Sequence, residues 1–214
     1  MLLIPDAGPL ISLATLGRRH LDLLLLVEGR IVVTDRVADE VTLADFPDTS
    51  AFPPAVLKNA ALIRTWLRDH AARVEEWPTA IGLQLRQQRD PAYRGPRLGR
   101  RHSGEKSVRD VLLDIKDTRE PSVVLVDEKE AKEILESLKV ATATILSTTE
   151  FVLALQEAGH AIDAAALIRQ LRDRRPTATL DPDPAVASSI RLPRADGPAE
   201  PDDTPPPDDA PSFR

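Results

Sequence analysis

Apolar residues follow two patterns along the first 180 residues of the chain, short consecutive runs and helical spacing. Short runs of consecutive apolar residues predict buried strands, and the clearest are MLLIP at the N-terminus, RIVVT at 30–34 and SVVLV at 122–126. A weaker run predicts a further strand around Val140. Between these runs, apolar residues recur at helical spacing. Strands that alternate with helices indicate an α/β fold of three α/β/α layers with a central, mostly parallel sheet.

The predicted helices fill the intervals between these strands. The first spans Pro9 to Leu26, and proline suits the first turn of a helix. Asp35 is interpreted as the N-cap of a short helix that follows RIVVT. Residues 53–77 are interpreted as one long helix, with Trp66 and Trp77 three turns apart on it. Further helices are predicted at 80–89, 103–116 and 128–138, and two more on either side of Gly159.

Composition divides the chain into a body and a tail. The net charge is −6, and eight acids against three arginines give −5 of it to residues 181–214. That segment also holds nine of the nineteen prolines. With so few apolar residues, this segment cannot bury enough surface to offset the conformational entropy that it would lose on folding. We therefore expect one folded domain at 1–180, nearly neutral overall, and a disordered Pro/Asp-rich tail at 181–214.

The chain also lacks the marks of a secreted or membrane protein. Cysteine is absent, which excludes disulfides and cysteinyl metal sites and fits a reducing compartment. The start MLLIPDAGPL has no basic segment typical of a signal peptide, and no apolar run approaches the roughly 18 residues of a membrane span. We expect a cytoplasmic protein with no membrane partner.

Four carboxylates occupy positions where an α/β fold places its ligands. Asp6 directly follows the first strand and Asp127 directly follows SVVLV, and ligands bind beyond the carboxyl ends of parallel strands. Glu40 lies in the short helix after RIVVT, and Glu105 lies in the first turn of its helix. Each has an ordinary alternative explanation, because an Asp after a strand caps a helix and an early Glu stabilises the helix dipole. Their order along the chain carries more information than any one of them.

The sequence around these acids resembles the PIN-domain family of ribonucleases. DAGPLISLATLGRRHLDLL resembles the family's opening strand, Asp and helix, and VVTDRVADEV is similar to its second strand and acid-bearing helix. SGEKSVRDVLLDIKD resembles the variant whose third acid is a Glu after Gly, and VVLVDEKEAKEI resembles the strand and helix of the fourth acid. LSTTEFVLALQEAGHAID is similar to the closing helices. The likeness covers most of residues 1–172.

The resemblance implies a catalytic site for metal-dependent RNA cleavage. It assigns Asp6, Glu40, Glu105 and Asp127 as catalytic, and adds Glu128 as a metal ligand, with one or two Mg²⁺ or Mn²⁺ ions bound. Carboxylates are the ligands that these hard cations prefer. A metal beside a phosphodiester activates water and neutralises charge.

The chain departs from the family pattern at several places. Glu128 stands where this branch usually has a second Asp. The family's small polar residue near the fifth strand corresponds to either Thr142 or Thr144. A helical and Arg-rich insertion is expected at about 50–102. These departures bear on metal geometry and substrate choice more than on the fold.

An arginine-rich stretch precedes Glu105. Arginine forks onto phosphate and stacks on bases, so the stretch is a candidate surface for single-stranded RNA. A solvated, Arg-rich loop is the alternative. The stretch contains Arg86, Arg89 and Tyr93, and the residues predicted to bind RNA are Arg94, Arg97, Arg100 and Arg101.

Three functional hypotheses follow. The leading one is an endoribonuclease, the toxin of a type II toxin–antitoxin pair, since the resemblance implies an antitoxin partner over the acidic site and a possible homodimer. The second is a PIN fold that binds without turnover, which Glu128 leaves open. The third is a receiver-like Mg²⁺-binding signalling domain, but no convincing pair of phospho-accepting Asp and Lys is found.

Overall fold

Five parallel strands form the central sheet of this protein, whose structure is a computed structural model describing residues 1–46, 48–90, 92–99, 102–188, 190 and 192. The strand order is β3-β2-β1-β4-β5, and every pairing is parallel. Helices flank the sheet, which confirms the predicted α/β fold class. The strands are β1 (Leu2–Pro5), β2 (Arg30–Thr34), β3 (Val74–Trp77), β4 (Ser122–Leu125) and β5 (Ala143–Leu146).

The two central strands are the ones with uninterrupted apolar sequence. All four residues of β1 and of β4 are buried, as expected for parallel strands covered on both faces. In register, Leu3 pairs with Ile31 on one side and with Val123 on the other. Because Asp6 follows β1 and Asp127 follows β4, these two acids emerge side by side at the carboxyl edge of the sheet.

Ten helices connect the strands in the described part of the chain. Most lie close to their predicted positions, although Pro9 to Leu26 divides into α1, α2 and a 3₁₀ turn at Asp22–Leu26. The break comes at Gly17, whose φ of 113° falls in the left-handed region that glycine tolerates. The helices are α1 (Ala7–Leu16), α2 (Arg18–Leu21), α3 (Asp35–Val41), α4 (Pro54–Asp69), α5 (Ala80–Gln87), α6 (Ser103–Ile115), α7 (Lys129–Ser137), α8 (Thr148–Glu157), α9 (Ala164–Arg174) and α10 (Pro184–Ser188).

The long helix predicted at 53–77 is wrong. Helix α4 ends at Asp69, and VEEW forms β3, which pairs only with β2 at the edge of the sheet. Trp66 is therefore buried on α4 while Trp77 lies on a strand, so the two do not anchor one helix. The segment expected as an insertion supplies both an edge strand and a helix packed against α1.

The first part of the segment predicted as a disordered tail from residue 181 contains packed structure. Helix α10 packs against α8, and the side chains of Ala187 and Leu192 are buried. Thr149 Oγ1 donates a hydrogen bond of 2.9 Å to the Leu180 carbonyl. The few apolar residues of this segment pack against the folded domain, and the average composition of the tail does not predict such local packing. Residues 193–214, the rest of the predicted disordered tail, lie outside the described residues.

Within the described residues, no helix combines the length and apolar character that crossing a bilayer requires.

Candidate active site

The five acids predicted as metal ligands line a single cavity of about 460 Å³. It opens at the carboxyl ends of β1 and β4, where the Asp6 amide donates a 2.9 Å hydrogen bond to the Leu125 carbonyl. Two cationic side chains, Lys129 and Arg175, share the lining. The structure therefore brings together every carboxylate that the sequence proposed, and adds positive charge beside them.

Asp6 is the most constrained of these acids. It occupies the N-cap position of α1 without a capping hydrogen bond from its side chain, so the ordinary explanation by helix capping is not met. The residue is 6% exposed, and Oδ1 is buried with no hydrogen-bond partner among the described residues. Burial, followed by repulsion from Glu105, raises the pKa of Asp6 to about 8. A positive charge in the cavity would reverse both effects.

Asp127 is held in place by hydrogen bonds to both of its carboxylate oxygens. Ser12 Oγ donates to Oδ2 at 2.6 Å, and the Thr148 backbone amide donates to Oδ1 at 2.8 Å. Arg175 donates in turn to Ser12 Oγ at 2.6 Å and to the Gly8 carbonyl at 2.8 Å. Burial raises the pKa of Asp127, and the hydrogen bonds from Ser12 and Thr148 oppose that rise.

Glu40 and Glu105 reach the cavity from two helices that pack against each other, α3 and α6. The helices are joined next to these acids by Arg36 Nε, which donates to Ser103 Oγ at 2.6 Å. Repulsion from Glu105 adds to the burial that raises the pKa of Glu40. A buried polar contact thus lies at the interface of the two helices that carry these mutually repelling carboxylates.

Gly104 allows α6 to approach the acids closely. A Cβ atom at this position would lie 3.0 Å from Asp6 Oδ1 and 3.3 Å from Glu40 Oε2. Contacts that short displace one of the partners. The glycine before Glu105, noted in the sequence as part of a motif, therefore has a steric role between two carboxylates.

Glu128 lies exposed at the mouth of the cavity. Its carboxylate, that of Glu105 and the His102 imidazole offer one atom each within 4.8 Å of one another. Partial burial and contact with Glu105 raise the pKa of Glu128. His102, which the sequence did not assign to any site, thus stands next to two of the predicted ligands.

Sequence reasoning missed three residues that organise Asp127, namely Ser12, Thr148 and Arg175. Thr148 lies two residues after the end of β5. A correct prediction of β5 would have identified it, because ligand-binding residues lie beyond the carboxyl ends of parallel strands. Neither Thr142 nor Thr144 lines the acidic cavity. Thr144 borders a different one.

The described arginines of the arginine-rich stretch lie apart from the acidic cavity, and their predicted role in binding RNA stays a prediction. Arg86 and Arg89 form ion pairs with acids of neighbouring elements, among them Asp39 on α3, and so hold α5 in place. Arg94 and Arg97 are exposed and do not line the acidic cavity. Arg100 and Arg101 lie outside the described residues.

The donor set fits a hard divalent cation. Carboxylate oxygens dominate the cavity, and the buried Asp6 Oδ1 lacks any partner among the described residues. Mg²⁺ and Mn²⁺ favour such oxygen ligands and retain water in their remaining positions. Asp6, Glu40 and Asp127 line the cavity beside Glu105, and the ligand atoms close enough together to share one ion among the described residues belong to His102, Glu105 and Glu128.

Comparison with known proteins assigns nothing further to this cavity. No family model, curated protein or solved structure matches the chain.

Proposed function

We propose that this chain is a Mg²⁺- or Mn²⁺-dependent endoribonuclease that cleaves phosphodiester bonds of single-stranded RNA. One observation carries the proposal: five carboxylates converge at the carboxyl edge of a parallel sheet, and the most buried of them, Asp6, has an oxygen without a partner. Repulsion among like charges concentrated in this way is relieved by a bound cation or by a proton, and the proposal assigns a divalent cation to this role. The resemblance of the flanking sequence to PIN-domain ribonucleases supplies the substrate class.

Each residue has a distinct part in this proposal. Asp6, Glu40 and Glu105 hold the cation, while Ser12 and the Thr148 amide fix the Asp127 carboxylate. Glu128 reaches the cavity from its solvent-exposed side. A bound divalent ion supplies a water of lowered pKa and neutralises charge on the phosphodiester.

Arg175 supports a phosphate-containing substrate. Its Nη1 atom donates hydrogen bonds to the Gly8 carbonyl and to Ser12 Oγ. The other guanidinium nitrogens form no hydrogen bond with any residue that the structure describes. Arginine is well suited to phosphate oxygens because its donors form a planar fork. A phosphodiester in the cavity would meet this cation on one side and the metal-holding carboxylates on the other.

Asp6→Asn tests the proposal directly. Purified protein should cleave end-labelled single-stranded RNA with Mg²⁺ or Mn²⁺, and chelator should stop it. The Asp6→Asn variant should lose cleavage by at least about 100-fold, consistent with the loss of a group that acts in the transition state. Its melting temperature in chelator should not fall, because a neutral amide avoids the cost of burying or protonating an acid among other carboxylates.

Asp114→Asn is the matched control, since it removes one exposed carboxylate from α6 away from the cavity. It should cleave like the unmodified chain. Cleavage that persists in chelator, or an Asp6→Asn protein as active as the unmodified one, would overturn the proposal. Metal and RNA binding without any turnover would support the binding-only alternative instead.

The same resemblance extends the proposal to a biological role. We infer that the chain is the toxin of a type II pair, with a cognate antitoxin protein that covers the acidic cavity, and that it forms a homodimer. Expression of the unmodified chain in a bacterial host should arrest growth, and Asp6→Asn should relieve the arrest. Growth that continues with soluble, active nuclease present would contradict the toxin role and leave the nuclease proposal intact.

A further inference from the structure

A second cavity, of about 250 Å³, adjoins the acidic one between α6 and α7. The two share Glu105 and Glu128 in their linings. The floor of the second cavity is apolar and comes from α7, where Ile134 is 50% exposed and Ala131 and Leu135 are buried beneath it. The cavity thus places an exposed apolar side chain next to the charged residues of the acidic cavity.

The α6 wall of this cavity carries two cations beside Glu105, and Glu128 and Glu130 complete the charged lining. Lys106 and Arg109 lie three residues apart on α6, are exposed, and line the cavity. Neither forms an ion pair or a side-chain hydrogen bond with any residue in the described ranges. They differ in this from Arg86 and Arg89, whose guanidinium groups are neutralised by acids.

We propose that the cavity between α6 and α7 binds the nucleotide of single-stranded RNA that lies next to the phosphodiester being cleaved. The base covers Ile134 on the apolar floor, and the adjoining phosphate contacts Lys106 and Arg109. This inference rests on the proposed nuclease function and names where its substrate continues beyond the metal-holding acids.

The chemistry of the two walls favours RNA as the occupant. Single-stranded nucleic acids bind where a surface covers the face of a base and cations follow the backbone. This cavity offers both features one helix turn from Glu105. Because the two cavities share part of their lining, an RNA strand bound in one cavity can continue directly into the other.

The salt dependence of binding tests the cationic wall. Binding of a short oligouridylate is measured with Mg²⁺ in the Asp6→Asn background, so that no RNA is consumed. Adding Lys106→Ala and Arg109→Ala should reduce the slope of log affinity against log salt by about 1.4, because each single-strand phosphate contact contributes roughly 0.7. Both residues are exposed, so the fold should be unaffected.

Lys116→Ala with Arg119→Ala is the matched control. This pair has the same spacing and charge, follows the C-terminal end of α6, and both residues are exposed. Its salt slope should equal that of the Asp6→Asn protein. Equal slopes in all three proteins would overturn the proposed phosphate contacts.

A comparison of two oligonucleotides tests the apolar floor. The Asp6→Asn protein should bind oligouridylate about tenfold more tightly than an abasic oligonucleotide of equal length, because the base covers one exposed apolar side chain and tenfold corresponds to about 1.4 kcal/mol. Ile134→Ser should bring this ratio close to one. Leu83→Ser, a change at an exposed apolar residue of α5, should leave the ratio unchanged.

The outcomes separate the subsite from the nuclease. If the unmodified chain cleaves RNA but neither set of variants alters the salt slope or the abasic ratio, the subsite is overturned and the nuclease stands. That result would also favour a protein segment as the occupant of the cavity. A chain that neither binds nor cleaves RNA overturns both proposals.

Discussion

The Asp6 carboxylate lies at the end of β1 among other acids, and its Oδ1 atom accepts no hydrogen bond from the described residues. In the unfolded chain its pKa is the ordinary 3.8, whereas burial and repulsion raise it to about 8 in the folded protein. The folded state therefore binds one more proton than the unfolded state between these values. Stability must fall as pH rises through this window.

We expect this linkage in the metal-free protein. With chelator present, the melting temperature should decrease from about pH 4 to pH 8, and Asp6→Asn should flatten that part of the profile. Mg²⁺ should raise the melting temperature most at the high end of the window, because it binds the ionised form. A melting temperature in chelator that rises toward pH 8, with the same rise in Asp6→Asn, would contradict this account.

Ser12 joins Arg175 to Asp127 through two hydrogen bonds of 2.6 Å. Ser12→Ala should therefore increase the Mg²⁺ concentration needed for half-maximal cleavage by about tenfold or more, as expected when a group that orients a ligand is lost. Thr15→Ala is the control, since Thr15 lies on the same helix and bonds to Ile11 and Asn59 rather than to an acid. A metal requirement unchanged by Ser12→Ala would show that Asp127 does not depend on this relay.

At the scale of elements, the close approach of α6 to the ends of β1 and α3 depends on Gly104. Gly104→Ala should reduce cleavage strongly, since the added methyl would lie 3.0 Å from Asp6 Oδ1. The melting temperature should change little, because alanine favours a helix by up to about 1 kcal/mol over glycine. Activity equal to that of the unmodified chain would show that the acids can shift without loss.

Gly82→Ala in α5 gives an instructive comparison. Its methyl would meet the buried Asp35 carboxylate, which accepts hydrogen bonds from the Thr79 amide and hydroxyl. This variant should lose thermal stability, because the clash falls on the contact that holds α5 against α3. Gly104→Ala should lose cleavage and keep its melting temperature. Gly82→Ala should instead lose thermal stability, and this contrast would show that Gly104 serves the site while Gly82 serves packing.

Sequence patterns predicted the elements with long or strongly apolar runs and missed the others. Strand β3 has two glutamates in four residues and continues the helical spacing of α4, so only its pairing with β2 identifies it. Strand β5 was predicted around Val140, and this shift concealed Thr148. The acids were found because they follow well-defined strands. Ser12 and Arg175 were not, because their roles exist only once α1 and α9 meet.

At the scale of the whole molecule, the segment after α9 closes one side of the acidic cavity. Arg175, Thr177, Ala178 and Leu180 contribute to the cavity lining, and the chain then continues into α10 on the surface of α8. The C-terminal part of the fold thus contributes to the site as well as to packing. A domain boundary at residue 181 would separate the residues that line the cavity from the helix α10 that follows them.

Two truncations distinguish this packed segment from the residues beyond it. Deletion after Arg175 removes α10 and the buried side chains of Ala187 and Leu192. Burial of one such side chain stabilises by about 1–3 kcal/mol, and each kcal/mol corresponds to roughly 2–4 °C in a domain of this size. The melting temperature should therefore fall by several degrees.

Deletion after Leu192 should leave the melting temperature unchanged, since residues 193–214 contain few apolar side chains to bury. Thermal unfolding of both truncated proteins beside the full chain, in chelator, provides the measurement. Cleavage activity adds a second readout, because the shorter protein also loses the Thr177–Leu180 wall of the cavity while the longer one keeps it. If both deletions leave stability and activity intact, the contacts of α10 with α8 contribute nothing to the fold, and the cavity is complete without the segment that follows α9.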